Sequence, residues 1–204
     1  MPKFRIGTDD FKELIDEGGY FVDKSLLIQE VIEGNKVTLL SRPRRFGKTL
    51  NMTMIRYFFE KCDEDRYYLF QDFEIAKYPE YMCHHGQYPV IYLTLKDVKG
   101  SSWAESRVRL IEKIGELTFI YEYLIPKLHP THKQLYDSML DRTADDATLK
   151  ASLKNLIEWL YHYHKKPVIV LIDEYDTPMI EAWTRGYYDE MASFMRAWLD
   201  AGLK

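Results

Sequence analysis

The chain has 204 residues, of which 46% are hydrophobic, 15% aromatic and 29% charged, so its composition excludes disordered, collagen-like and low-complexity proteins. Its 28 basic and 32 acidic residues give a formal net charge of -4, which provides no global basic field for nucleic acid or an anionic membrane. Two cysteines are too few for a disulfide scaffold, and no apolar run reaches the roughly 18 residues that span a bilayer. We therefore expect one cytoplasmic domain over residues 1–204.

The first half of the chain predicts helices followed by strands. Residues 1–35 form an N-terminal helical segment with two short amphipathic helices, around 11–15 and 25–32. Residues 36–96 form the first half of a sheet, because branched apolar side chains predict a buried strand at 36–41 and another at 88–95.

The second half predicts a helical insertion and then a buried strand. Residues 97–166 have apolar side chains at helical spacing, interrupted where Pro126 and Pro130 would stop a helix. In the last part, 167–204, the run 168–172 is apolar at every position, which is typical of a strand covered on both faces, and a helix ends the chain. The fold class is therefore α/β, a three-layer α/β/α sandwich around a mostly parallel sheet.

A phosphate-binding loop is predicted directly after the first strand. A glycine, a lysine and a threonine at a helix start offer backbone N–H groups, a cation for the outer phosphates and a hydroxyl for Mg²⁺. Arg42 replaces the first glycine of the usual G-x-x-x-x-G-K-[ST] spacing, so the loop must enter by another path. A chance tripeptide is the alternative. The candidate nucleotide-binding residues are Arg44, Arg45, Phe46, Gly47, Lys48, Thr49 and Leu50.

Two carboxylates follow the strand at 168–172, as in a Walker B motif. Asp173 would hold Mg²⁺ together with Thr49, and Glu174 would polarise the water that attacks the γ-phosphate. Glu174 and Lys48 are therefore the candidate catalytic residues. A helix cap or a turn is the alternative role of Asp173, and Asp176 fits either a cap or a metal or water contact.

Other polar clusters give weaker signals. Arg44 and Arg45 could brace phosphates, reach a neighbouring subunit or lie in a solvated loop. The Cys83–His85 run lacks paired zinc-ligand spacing, and His162 and His164 face different directions on a helix, so they do not form a joint ligand pair.

Four stretches, in their order and spacing, resemble the bacterial AAA-ATPase-like proteins, which often carry a PD-(D/E)XK-type nuclease domain after the ATPase domain. The resemblance implies nucleotide and Mg²⁺ binding by Gly47, Lys48 and Thr49, and metal and water roles for Asp173 and Glu174. The family's ATPase domain continues into a further strand with a γ-phosphate sensor, so we expect a fold truncated at the C-terminus and no nuclease activity. The matching stretches are 20–28, 42–49, 88–97 and 172–178.

These observations predict an ATP-binding and ATP-hydrolysing P-loop domain that uses Mg²⁺ and couples its nucleotide state to a partner domain or subunit. The alternative is a non-catalytic module in which nucleotide stabilises the fold and the aromatic surface docks a partner or a second copy. A small-molecule kinase is a third hypothesis, disfavoured because Glu174 directly follows Asp173. Neither nucleic acid nor a membrane is an expected partner.

Overall fold

The computed structural model describes residues 7–40 and 46–203, and the chain divides into two compact units, 1–91 and 92–204. It is a mixed α/β structure with many helices and a small parallel sheet of two strands. The helices are α1 Phe11–Asp16, α2 Leu27–Glu33, α3 Lys48–Phe59, α4 Pro79–Met82, α5 Trp103–Ile120, α6 Pro130–Leu140, α7 Asp146–His164, α8 Thr177–Arg185 and α9 Tyr188–Leu203. The strands are β1 Val90–Thr94 and β2 Ile169–Asp173, and short 3₁₀ helices span Tyr67–Leu69, Glu74–Lys77 and Glu122–Lys127.

The core of the first unit is aromatic. Phe11 of α1 is fully buried, and its ring centroid lies 5.1 Å from that of Phe21 and 5.4 Å from that of Phe70. Phe58 of α3 contacts Phe70 edge to face at 5.2 Å, an arrangement that aromatic rings prefer. The helices predicted around 11–15 and 25–32 are confirmed as α1 and α2, and α1 packs against α3.

The strand predicted at 36–41 is not found. Residues 37–40 have no regular secondary structure, and Ser41 lies outside the described residues. Val37 is 59% exposed and Leu39 is 65% exposed, so these apolar side chains are not part of the core. A strand is stable only when it pairs with another, and no strand among the described residues pairs with this segment.

The second unit is a helical assembly in which α7 packs against α9. The apolar stripes predicted for these helices are confirmed, because every member is buried: Leu149, Leu153, Leu156, Leu160, Tyr187, Met191, Phe194, Met195 and Trp198. The indole of Trp198 donates a hydrogen bond to Ser152 Oγ at 2.8 Å, which satisfies two buried polar groups across the interface. At Gly202 a Cβ atom would lie 2.8 Å from Leu153 Cγ, so the close approach of the two helices requires glycine there.

The two remaining strand predictions are confirmed as β1 and β2. Both strands end at the same edge of the sheet, since they are parallel, and Leu95 N donates to Asp173 O at 3.0 Å there. The apolar residues 169–172 are half-buried rather than covered on both faces, because β1 is the only strand paired with β2 in the described part of the chain. Within residues 7–40 and 46–203, no helix combines the length and the apolar character needed to cross a membrane.

Candidate functional site

The predicted phosphate-binding residues lie at the start of α3. Gly47 precedes the helix with φ 70° and ψ 28°, a left-handed conformation that glycine adopts at little cost. Asn51 N donates to Gly47 O at 2.9 Å, so the helical hydrogen bonds begin at this residue. Lys48, Thr49 and Leu50 form the first turn, which contains no acidic residue. The partial positive charge of the helix dipole is therefore not offset by a carboxylate in this turn.

The remaining predicted residues differ in solvent exposure, and two of them lie outside the described part of the chain. Phe46 is 62% exposed, whereas Lys48, Thr49 and Leu50 are half-buried. Arg44 and Arg45 lie outside the described residues, together with Arg42 and Pro43.

Polar contacts hold α3 against α1 in the first unit. Phe11 N donates to Thr53 Oγ1 at 2.9 Å in a buried position, and the Tyr57 hydroxyl donates to Asp10 Oδ2 at 2.9 Å. Burial, together with the hydrogen bond to Asp10, raises the pKa of Tyr57 to about 12. The tyrosine is therefore neutral at physiological pH and remains a donor. These contacts fix the position of the helix whose first turn carries Lys48 and Thr49.

The predicted carboxylates lie at the end of β2, in the second unit. Asp173 is the last residue of the strand and is 1% exposed. Its Oδ1 accepts a hydrogen bond from Glu174 N at 2.9 Å, and its carbonyl accepts one from Leu95 N. A buried carboxylate is the kind of oxygen ligand that hard cations such as Mg²⁺ prefer.

Glu174 is held in an unusual backbone conformation. Its φ is 53°, in the left-handed region that costs a residue with a Cβ about 1–2 kcal/mol. Its Oε2 accepts a hydrogen bond from Thr177 Oγ1 at 2.9 Å, and its carbonyl accepts one from Thr177 N at 3.0 Å. Strained residues of this kind cluster at functional sites, where the surrounding structure over-determines them. The side chain is half-buried and keeps acceptor capacity on its carboxylate.

Asp176 stands at the N-cap position of α8 but does not cap it. Its side chain makes no capping hydrogen bond, and its Oδ1 is buried with no hydrogen-bond partner among the described residues. A buried acceptor without a donor costs free energy, so each example calls for an explanation such as a bound ion or a ligand. Of the two roles that the sequence left open for Asp176, this geometry favours the contact with a metal or water.

The structure therefore places the site residues in two groups. Gly47, Lys48 and Thr49 belong to the first unit, and Asp173 and Glu174 belong to the second. The second group offers carboxylate oxygens, the ligand type that Mg²⁺ prefers, and the buried Oδ1 of Asp176 has no hydrogen-bond partner among the described residues. No cluster of three or more His, Cys, Asp or Glu side chains with metal-binding geometry occurs within residues 7–40 and 46–203.

Sequence reasoning missed two supporting residues. Thr177 orients the Glu174 side chain, and Thr53 receives the buried amide of Phe11. A threonine before a proline at a helix start was a visible signal for Thr177. Thr53 had no comparable signal, since its partner lies 42 residues away in the chain.

The chain is similar to known proteins in two comparisons. A family model, described as a predicted AAA-ATPase of the AAA-ATPase-like type, matches residues 5–204. An uncharacterized protein in the vnfD 5′ region of Azotobacter chroococcum mcd 1 is 28% identical over 185 residues, which is 90% of this chain and 31% of that relative. The chain thus spans about a third of the length of this curated relative. No solved structure matches the chain significantly.

Proposed function

Because the chain belongs to the AAA-ATPase-like family, we propose that it is an ATP-binding and ATP-hydrolysing P-loop domain. In this proposal the two strands belong to the parallel sheet of a three-layer α/β/α sandwich, and nucleotide binds at the carboxyl ends of its strands. The observation that supports the proposal most is the pair at the end of β2, a buried Asp173 followed by a strained Glu174.

On the phosphate side, the first turn of α3 supplies main-chain N–H groups and the positive end of a helix dipole. Lys48 neutralises charge on the outer phosphates, and Gly47 allows the backbone to approach an anion without a side chain. Leu50 and Phe46 border the nucleotide, and Arg44 and Arg45 contribute further positive charge.

On the carboxylate side, Asp173 would offer an oxygen ligand to Mg²⁺, and the Asp176 oxygen would accept a hydrogen bond from water. The Thr49 hydroxyl would be the ligand for Mg²⁺ on the phosphate side. The bound ion would supply positive charge against the phosphate oxygens. Glu174 orients and polarises the attacking water, and its hydrogen bond from Thr177 keeps the carboxylate in one orientation.

A thermal melt of the 204-residue chain with and without Mg-ATP tests the binding site. A ligand at about 100 times its Kd stabilises the folded state by about 2.7 kcal/mol, which raises Tm by roughly 5–10 °C for a chain of this size. Lys48→Ala should abolish this rise. Lys61→Ala is the matched control, because Lys61 is exposed just beyond the opposite end of α3.

Three outcomes would count against the site. Equal rises in the parent and in Lys48→Ala would mean that nucleotide binds elsewhere. A parent with no rise at millimolar Mg-ATP would mean that this chain has no working phosphate loop. Loss of the rise in both lysine variants would indicate a general charge effect, which the proposal does not predict.

The second candidate is a non-catalytic module that binds nucleotide and docks a partner or a second copy. Exposed apolar side chains on α8 favour it, since Trp183 is 74% exposed and Ile180 is 50% exposed. Phosphate release separates the two functions. A purified parent that releases phosphate above background, with loss of release in Glu174→Gln, supports hydrolysis. Phosphate found on an acceptor molecule instead of in water would identify a kinase.

A further inference from the structure

A groove of about 450 Å³ lies within the second unit, remote in sequence from the residues assigned to nucleotide. The 3₁₀ helix 122–127, the start of α6 and the end of α7 enclose it. Its floor is apolar, because Leu124 is 1% exposed and Trp159 is 4% exposed. Its rim carries four basic or titratable side chains: Lys127, His129, His132 and His162.

Local structure determines how this rim is built. His129 caps α6, and its Nδ1 accepts a hydrogen bond from Thr131 N at 3.4 Å. The proton of the neutral ring therefore lies on Nε2, which is a donor. Trp159 and His162 are three positions apart on α7, so the two share a helix face. The His132 ring lies 5.9 Å from the Trp159 ring, which brings a second imidazole to the aromatic floor.

The charge around the groove is of one sign. The acidic residues of its three elements are Glu122, Asp137, Asp146 and Glu158, and none of them lines it. Asp146 is bonded to Arg107, and Glu158 lies 3.8 Å from Lys154, so two of the four have cationic partners. The groove therefore presents the ammonium group of Lys127 and three imidazole rings, with no carboxylate in its lining.

We propose that this groove binds a small organic anion in which a flat aromatic ring carries one carboxylate, sulfonate or phosphate group. The volume falls in the range of small-molecule sites, which is about 300–1,000 Å³. The ring packs on Trp159 and Leu124, and the anionic group contacts Lys127 and the histidines. This site is independent of nucleotide binding at α3.

Calorimetric titration of the 204-residue chain with 2-naphthoate tests the proposal. The matched neutral probe, 2-naphthylmethanol, has the same ring system without the charge. At pH 7 it should bind about tenfold more weakly than naphthoate, because it loses the contact between the carboxylate and Lys127.

Variants assign the effect to individual side chains. Lys127→Gln should weaken naphthoate binding about tenfold and leave binding of the neutral probe unchanged. The double variant His132→Gln with His162→Gln should weaken naphthoate binding by a smaller factor, because it removes two imidazole rings from the rim. His84→Gln, in the first unit, should behave as the parent. Lys48→Ala should keep full naphthoate affinity, so failure of the nucleotide proposal leaves this test intact.

The NMR signal of the Trp159 indole N–H tests where the probe binds. The signal is assigned by its loss in Trp159→Phe. Naphthoate should shift this signal in the parent, because an aromatic ring in the groove changes the local field. Three results would overturn the proposal: no binding of naphthoate at millimolar concentration, equal affinity for the neutral probe, or parental naphthoate affinity in Lys127→Gln.

Discussion

Two junctions lead into helices through a residue with left-handed backbone, and they use it differently. At the start of α3 that residue is Gly47, with φ 70°. At the end of β2 it is Glu174, with φ 53°, three residues before α8 begins. The first junction carries no side chain at the turn, so its main chain is open to the ligand that we propose there. The second keeps a carboxylate there in spite of a backbone cost of about 1–2 kcal/mol.

The difference shows what each junction must present. In the proposed function, phosphate needs N–H groups that converge on it, and a side chain at Gly47 would add nothing to that contact. Water activation would need a base in one place, and the hydrogen bond from Thr177 holds the Glu174 carboxylate. We therefore propose that the strain at Glu174 is retained for its side chain, whereas glycine at position 47 avoids the same strain.

The largest expected effect comes from Glu174→Gln. Glutamine keeps the size and a hydrogen-bond acceptor for Thr177 but removes the charge that polarises water. We expect kcat for phosphate release to fall by at least about 100-fold, with Mg-ATP binding within about twofold of the parent. Steady-state assays and the thermal melt measure the two quantities.

Glu190→Gln is the control for that substitution, because Glu190 is an exposed carboxylate on α9 in the same unit. It should retain parental turnover. Unchanged turnover in Glu174→Gln would show that the strain at Glu174 has no role in hydrolysis.

A smaller effect is expected from Gly47→Ala, with Gly186→Ala as its matched partner. Both glycines have positive φ, 70° and 82°, and a Cβ atom at either would meet nothing within 4 Å. Each change should therefore lower the free energy of unfolding by about 1 kcal/mol through backbone strain alone. Urea unfolding measures this loss.

Nucleotide binding should separate the two alanine variants. Gly47→Ala should also weaken Mg-ATP binding, since the Cβ stands where the backbone approaches phosphate, whereas Gly186→Ala should bind as the parent does. Equal binding by both variants would show that the first junction does not depend on bare main chain.

The smallest expected effect is a pH dependence of the folding stability, which arises from a histidine packed against α3. Burial lowers the pKa of His85, whose ring packs edge to face against Phe58 at 5.4 Å and Phe70 at 5.6 Å. The unfolded chain binds the proton more readily, so this stability is present above about pH 6.5 and is lost as the pH falls below it.

Urea unfolding at pH 7.5 and pH 5.5 checks this sign. His85→Phe keeps an aromatic ring in the cluster and cannot titrate, so it should lose less stability between these pH values than the parent. His84→Gln should lose as much as the parent. A parental loss in His85→Phe would assign the acid sensitivity to other groups.

Sequence reasoning found the elements whose signal is local. Consecutive apolar side chains predict the strand at 168–172, and apolar side chains at helical spacing predict α7 and α9. The segment 36–41 has the same kind of apolar pattern but is not a strand over 37–40, because a pattern of side chains does not specify the strand that must pair with it.

The candidate site divides in the same way. Motifs of adjacent residues predict four of the candidate site residues: Lys48, Thr49, Asp173 and Glu174. The left-handed φ of Glu174 had no signal, since glutamate rarely adopts it, and the unpaired oxygen of Asp176 depends on what surrounds it. The groove was also missed, because Lys127 and His162 lie 35 residues apart and meet only through helix packing.

A small tilt of helix α8 at the second junction moves the far end of the helix. It begins at Thr177, which is bonded to Glu174, and Trp183 lies seven residues beyond Asp176, about 10 Å along the axis. A tilt of about 10° at the first turn therefore displaces Trp183 by about 2 Å. Trp183 is more exposed to solvent than the other three tryptophans, Trp103, Trp159 and Trp198. Its fluorescence emission therefore reports the position of α8.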